Sequence, residues 1–121
     1  TLTIITYGNG LYHSLRAKNE IEKKVKKKIK IIDLRWLSSI DIPNLLKNIG
    51  DCKNILIVDE CRRTGCHGEK IYLDLNQATH SNLNIRLHAA EDCFIPLGLA
   101  ATSTLPSKES IFKNAVDIIN G

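Results

Sequence analysis

Ile55-Leu56-Ile57-Val58 is a run of four apolar residues with no polar interruption, closed by Asp59-Glu60. A strand with one wet face alternates in polarity, so an unbroken run of this kind belongs to a sheet covered on both sides. Three other segments are also rich in Ile and Leu: Leu2–Tyr7, Ile29–Leu34 and Leu83–His88. Together with Asn54–Asp59 they make four expected strands, and each is followed by a stretch with helical period.

Leu11, Leu15, Ile21 and Val25 fall in one arc of the first helix. Asp41 is placed to cap the second, whose Ile42, Leu45, Leu46 and Ile49 share a face before Gly50 ends it. Ile71, Leu75 and Ala78 form the stripe of the third. Ser107, after Pro106, is placed to cap the fourth, with Ile111, Ala115, Ile118 and Ile119 facing inward. Strand–helix repeats with short connections give right-handed crossovers and a three-layer α/β/α sandwich on a mainly parallel sheet. The 121 residues, 43% of them hydrophobic, suffice for one core, and a single domain over 1–121 is expected.

The formal charge of +4 is local in origin. Lys23, Lys24, Lys26, Lys27, Lys28 and Lys30 place six lysines within eight positions, so the rest of the chain is net acidic. Nucleic-acid binding would favour interleaved aromatics, and the chain has one Trp, three Tyr and two Phe. A solvated helix end favoured by the helix dipole is the simpler expectation, so nucleic acid is not the expected partner. No apolar run reaches the ~20 residues of a membrane span, and no signal peptide is expected, since the sequence opens directly on a strand-like segment. The four cysteines, Cys52, Cys61, Cys66 and Cys93, show no CxxC pair and no zinc spacing. Reduced thiols in a cytoplasmic protein are expected, with Cys52 and Cys93 as small core residues. The abrupt strand-like start at Thr1 suggests a fragment of a longer chain.

Two loops carry what chemistry there is. Tyr7-Gly8-Asn9-Gly10 turns from the first strand into the first helix, where an open α/β sheet binds phosphate. His13 stands where the third Gly of GxGxxG would fall, so a tight turn is the competing reading. Asp59-Glu60-Cys61-Arg62-Arg63-Thr64-Gly65-Cys66-His67-Gly68-Glu69 follows the third strand. Arg62 and Arg63 beside a helix N-terminus could hold an anion, or could pair with Asp59, Glu60, Glu69 or another subunit. A nucleophilic role for Cys61 lacks a partner: a phosphatase-type loop needs Arg at position 67, and adjacent Cys66-His67 side chains diverge. Ala89–Pro106 is an 18-residue stretch without a clear element. A loop of that length either tucks under its own domain or faces a partner with Phe94, Ile95, Pro96, Leu97 and Leu99.

The ordered set of motifs resembles the C-terminal domain of transketolase-like, thiamine-diphosphate-dependent enzymes. The most similar branch is the β subunit, or fused form, of 2-oxo acid dehydrogenase components. Ile32-Asp33-Leu34-Arg35 with Ile40-Asp41 resembles that family's strand-ending DLR motif and capped helix. Ile57-Val58-Asp59-Glu60 through Gly65, Gly68 and Glu69 resembles its acidic strand end and glycine loop. Asp92, Phe94, Ile95, Pro96 and Pro106-Ser107 resemble its closing segment. The chain departs at Ser39, where Pro is common, and at Cys66-His67, where small residues are usual.

The resemblance implies strand order second, first, third, fourth, with an antiparallel edge strand upstream. It implies thiamine diphosphate and Mg2+ in the intact enzyme, but no cofactor, metal or catalytic residue in this fragment. The residues it leaves as anion-binding or subunit-interface candidates are Gly8, Asn9, Gly10, Arg62, Arg63, Gly65, His67, Gly68, Glu69, Phe94 and Pro96. Implied partners are the upstream cofactor-binding domains or subunits, in a homodimer or heterotetramer, and an acyltransferase core protein. Alternatives are a stand-alone anion- or nucleotide-binding regulatory module, or the third domain of a transketolase or deoxyxylulose-phosphate synthase.

Overall fold

A computed structural model describes residues 1–79 and 82–121. Four strands, β1 (Thr3–Thr6), β2 (Lys30–Asp33), β3 (Asn54–Arg62) and β4 (Asn84–Ala90), form one sheet in the order β2-β1-β3-β4, every pair parallel. Helices α1 (Asn9–Val25), α2 (Ile42–Ile49), α3 (His67–Ala78) and α4 (Lys108–Asn120) connect and follow them, with a short 3-10 turn at Gly98–Thr102.

The unbroken apolar run of β3 is explained by its two coats. Leu56 and Val58 join Ile4 on the face covered by Ala17 and Ile21 of α1 and Ile111, Ala115 and Ile118 of α4. Ile55 and Ile57 join Ile5 on the face covered by Leu45 and Ile49 of α2 and Ile71 and Leu75 of α3. Successive residues point to opposite sides of the sheet, and both sides are dry. The caps follow the sequence as well. Asp41 accepts from Asn44 N at 3.0 Å, and Ser107 and Ser110 close a reciprocal capping box.

Two helical faces differ from their sequence reading. In α1 the buried stripe is Gly10, Ser14, Ala17 and Ile21, while Leu15 is 53% exposed. The tight turn from β1 brings the start of the helix so close to the sheet that only small side chains fit there, and Ile21 enters further along. In α3 the stripe is Gly68, Ile71 and Leu75; Ala78 is exposed because the helix ends there, clear of the core. The third and fourth strands also run beyond Asp59 and His88, to Arg62 and Ala90, by way of a register shift that leaves Glu60 and Cys61 unpaired. Such a bulge bends a strand and re-aims its side chains.

Glu22 fastens the far end of α1 to the start of β2. Its Oε1 accepts from Lys18 Nζ at 2.6 Å and from Ile29 N at 3.0 Å. The Lys18 hydrogen bond first, and the Ile29 amide second, hold this carboxyl down at about 2 from its ordinary 4.5. A carboxyl depressed by folding stabilises the native state fully above its unfolded value and loses that contribution as the pH falls through its folded one. Acid unfolding followed by circular dichroism is therefore expected to steepen as the pH drops from 4.5 toward 2. Glu22→Gln is expected to flatten that limb, and an unchanged limb would rule the contribution out.

Candidate functional site

All four strands end on the same edge of the sheet, and the loops at this carboxyl edge carry the chemistry-bearing residues. Register explains how two of them meet. Thr6 pairs with Val58, so the next residues along, Tyr7 and Asp59, face each other. The Tyr7 hydroxyl donates to Asp59 Oδ1 at 2.7 Å. The same oxygen accepts from Cys61 N at 2.9 Å, and Oδ2 accepts from Gly68 N at 2.9 Å. Asp59 is 0% exposed and joins β1, the β3 bulge and the first turn of α3. Burial first, then the Asp59 hydrogen bond, pushes the Tyr7 hydroxyl far above its ordinary range, so it stays a donor at any working pH.

The glycine loop is built around these bonds. Gly65 has φ 78°, and its N–H donates to Glu69 Oε2 at 2.7 Å, a carboxylate placed favourably in the first turn of α3. A Cβ on Gly68 would lie 2.7 Å from Leu87 Cδ1, 3.2 Å from Ile57 Cγ2 and 3.3 Å from Asp59 Cβ, so a larger residue here would push Leu87 aside and press on Ile57 and Asp59. His67 is exposed, with its ring edge-on to Tyr7 at 6.2 Å. Cys66 is buried, and burial raises its thiol above the ordinary value; Cys66 and His67 thus part, as their adjacency requires.

Neither arginine pairs with Asp59, Glu60 or Glu69. Arg63 folds back on β4, its Nη2 donating to Leu87 O at 2.9 Å and its N–H to Ala90 O at 3.0 Å. Arg62 makes no ion pair within 4.0 Å among the described residues and opens onto solvent. Glu60 instead accepts from Asn9 Nδ2 at 3.3 Å, which brings the first and third loops together. Asp92 ties in the fourth: its Oδ1 accepts from Thr64 N at 2.8 Å and Oδ2 from Thr64 Oγ1 at 2.6 Å. These two bonds hold its carboxyl below the usual range.

Between the third and fourth loops lies an open groove of about 740 Å3, floored by Tyr7, Ala90 and Leu105 and rimmed by Glu60, Cys61, Arg62, Glu91, Cys93, Phe94 and Ile95. Beside it the 89–106 segment is not tucked under the domain. Phe94 is 99%, Leu97 94% and Leu99 101% exposed. Cys93 is exposed too, contrary to its expected place in the core, because it sits on this outward loop; Cys52 is half-buried. Pro96 is half-buried and lies outside the groove lining. Trp36, in the loop after β2, is a further exposed aromatic on the same edge.

Of the candidate residues, the structure therefore joins Asn9 with Glu60, Gly65 with Glu69, Gly68 with Asp59, and Arg62 with Phe94. It does not bring Gly8, Gly10 and the two arginines into one anion cradle. Gly10 is buried, and Gly8 has nothing within 4 Å of its Cβ position. Tyr7, Thr64 and Asp92 complete the arrangement; the register of two polar residues closing adjacent apolar strands was the signal for Tyr7.

A pyrophosphate fits poorly here. Carboxylates already face the helix starts that would have to supply free donors: Asp59 at Gly68 N, and Glu60 beside Asn9. Among the described residues no group of three or more His, Cys, Asp or Glu side chains could hold a metal ion. No helix of the described residues is long and apolar enough to cross a membrane.

Residues 1–111 match the family model described as transketolase, C-terminal domain. The β subunit of the pyruvate dehydrogenase E1 component of Staphylococcus epidermidis is 30% identical over 116 residues, covering 94% of this chain and 35% of that protein. The Staphylococcus aureus subunit is 27% identical over 120 residues, covering 98% and 37%. The chain thus spans about a third of the length of the curated relatives it matches. Among solved structures, a 2-oxoglutarate:ferredoxin oxidoreductase from Magnetococcus marinus superposes with a TM-score of 0.65 at 14% identity, over 98% of this chain and 18% of that one. A flavodoxin-like domain from Synechococcus superposes with 0.50 at 10% identity over the whole of both chains. At these identities the two structures speak for the fold alone.

Proposed function

The chain belongs to the transketolase C-terminal domain family, and from that premise we propose that it is the assembly domain of a 2-oxo acid dehydrogenase component. In this reading the intact enzyme decarboxylates a 2-oxo acid and passes the acyl group to lipoamide. Thiamine diphosphate, which stabilises the carbanion left by decarboxylation, and Mg2+ are held by domains upstream of this one. The domain's own work is to join subunits, in a homodimer or heterotetramer, and to shape the rim of the active site. A core acyltransferase is the further partner.

One observation carries the reading. Phe94, Leu97 and Leu99 stand almost fully in water beside an apolar groove. Large apolar groups clustered on one loop mark a surface that a partner covers. Arg62 at the groove rim adds a charge that is free to pair across an interface. The bonds from Asp92 to Thr64 and from Glu91 N to Thr104 O at 3.0 Å hold the loop in place, so little ordering is required on association.

The experiment is sedimentation of the full-length polypeptide that contains this chain, with Phe94, Leu97 and Leu99 all changed to Ser. The expected result is dissociation into smaller species with unchanged circular dichroism; an unaltered assembly overturns the reading. Calorimetry of the 121-residue chain with thiamine diphosphate is a second check: tight binding would show that the cofactor site is here and not upstream.

A further inference from the structure

The lysine run lies at the other end of the molecule. α1 ends at Val25 and β2 begins at Lys30, so the segment between them turns at the amino edge of the sheet, opposite the Phe94 loop. There Lys23, Lys26, Lys27 and Lys28 line a shallow concavity of about 420 Å3 with Asn19 and Glu22.

Three features separate this surface from an ordinary solvated helix end. The first is reach. The helix dipole favours cations only at the helix end, which accounts for Lys23, Lys24 and the capping Lys26 but not for Lys27 and Lys28 beyond it. The second is pairing. Lys23, Lys24, Lys26 and Lys27 have no carboxylate within 4.0 Å among the described residues. The one acidic group in the concavity, Glu22, is taken up by Lys28 at 3.5 Å, by Lys18 at 2.6 Å and by the Ile29 amide, which leaves Lys23, Lys26 and Lys27 unanswered. The third is backbone. Lys26 caps α1 with φ 54° and ψ 31°, and it is the only non-glycine residue with positive φ among the described residues. Glycine is preferred at such a position, so the chain holds a lysine against the preference of its own backbone.

We infer that this amino-edge concavity is a docking surface for an acidic segment of a partner protein. Charge complementarity carries the assignment, and the lining chooses among polyanions. The lining holds no arginine, so the bidentate fork that grips a phosphate is missing, whereas mobile lysine point charges can each meet a separate carboxylate. Nothing in the lining offers an aromatic platform for a nucleic-acid base. Nor is there a large apolar side chain to enter a lipid surface.

The test is binding of a fluorescent oligoglutamate peptide to the full-length polypeptide that contains this chain. Lys23→Glu/Lys26→Glu/Lys27→Glu is expected to weaken it about tenfold, the yield of three exposed charge pairs. Lys113→Glu, on the exposed face of α4, serves as the charge control and is expected to leave binding unchanged. Rising salt is expected to weaken the wild-type complex. Lys26→Gly separates binding from folding: it should raise the thermal midpoint by relieving the left-handed residue, yet weaken the peptide about two- to threefold. Peptide binding that is absent, or equal in the triple variant, overturns the inference. Tighter binding of a single-stranded oligonucleotide or of phosphatidylglycerol vesicles overturns it as well.

Discussion

Asp59→Ala is expected to lower the unfolding free energy by about 3–5 kcal/mol, because it strands several donors at once. The carboxylate is 0% exposed and accepts from the Tyr7 hydroxyl, Cys61 N and Gly68 N at 2.7, 2.9 and 2.9 Å. An unsatisfied buried donor costs about 1–3 kcal/mol. Gly68 N is fully enclosed and has no route to water, whereas Tyr7, half-buried, recovers part of its loss by hydration. Asp59→Asn keeps one acceptor but turns an NH2 group toward a donor, so about 1–3 kcal/mol is expected. Tyr7→Phe removes one bond without stranding a backbone amide, and about 1 kcal/mol is expected. Urea unfolding of the three variants checks the order. Asp59→Ala within 1 kcal/mol of the parent would show that the junction is not a structural anchor.

The same junction shows what can be read from the sequence and what cannot. Ile55 to Val58 announces a two-faced parallel strand because burial on both sides leaves no polar position to alternate. Asp41 and Ser107 announce helix starts because capping is local and needs only the next turn. Strand order second, first, third, fourth was expected through family likeness and is the order found. The buried face of α1 was misread for a non-local reason. Its apolar count favours Leu11 and Leu15, but the approach of helix to sheet is set by Gly10 against Thr6 and Val58, and the Val58 contact lies across 48 positions of chain that no periodicity contains. Cys93 was misplaced in the same way. Small thiols are usually interior, yet this one rides an exposed loop fixed by the Asp92–Thr64 bonds. The bulge at Glu60 and Cys61 is likewise a property of two strands together, and it is what turns Arg62 toward the groove.

Gly10→Ala is expected to cost about 2–4 kcal/mol by a steric clash inside the core. Its Cβ would lie 2.3 Å from Thr6 Oγ1 and 3.3 Å from both Val58 Cγ1 and Val58 O. Thr6 cannot simply rotate away, because Oγ1 donates to Val58 O at 2.9 Å inside the core. Either that bond is lost or α1 lifts off the sheet and opens the Ala17 and Ile21 contacts behind it. Gly8→Ala is the contrasting case. Gly8 has φ 56° and ψ −133°, a region that L side chains rarely enter, but nothing within 4 Å of its Cβ position, so backbone strain alone, about 1–3 kcal/mol, is expected. The mechanism has a signature that a general fragility of the turn lacks. Thr6→Ala removes the clashing oxygen, so Thr6→Ala/Gly10→Ala should lose less than the two single changes together, by about 1 kcal/mol or more. Strict additivity would locate the cost elsewhere. A lifted α1 would also withdraw Asn9 from Glu60 and Tyr7 from Asp59. The groove wall would then loosen with the turn, and assembly of the full-length polypeptide should weaken in Gly10→Ala but not in Gly8→Ala.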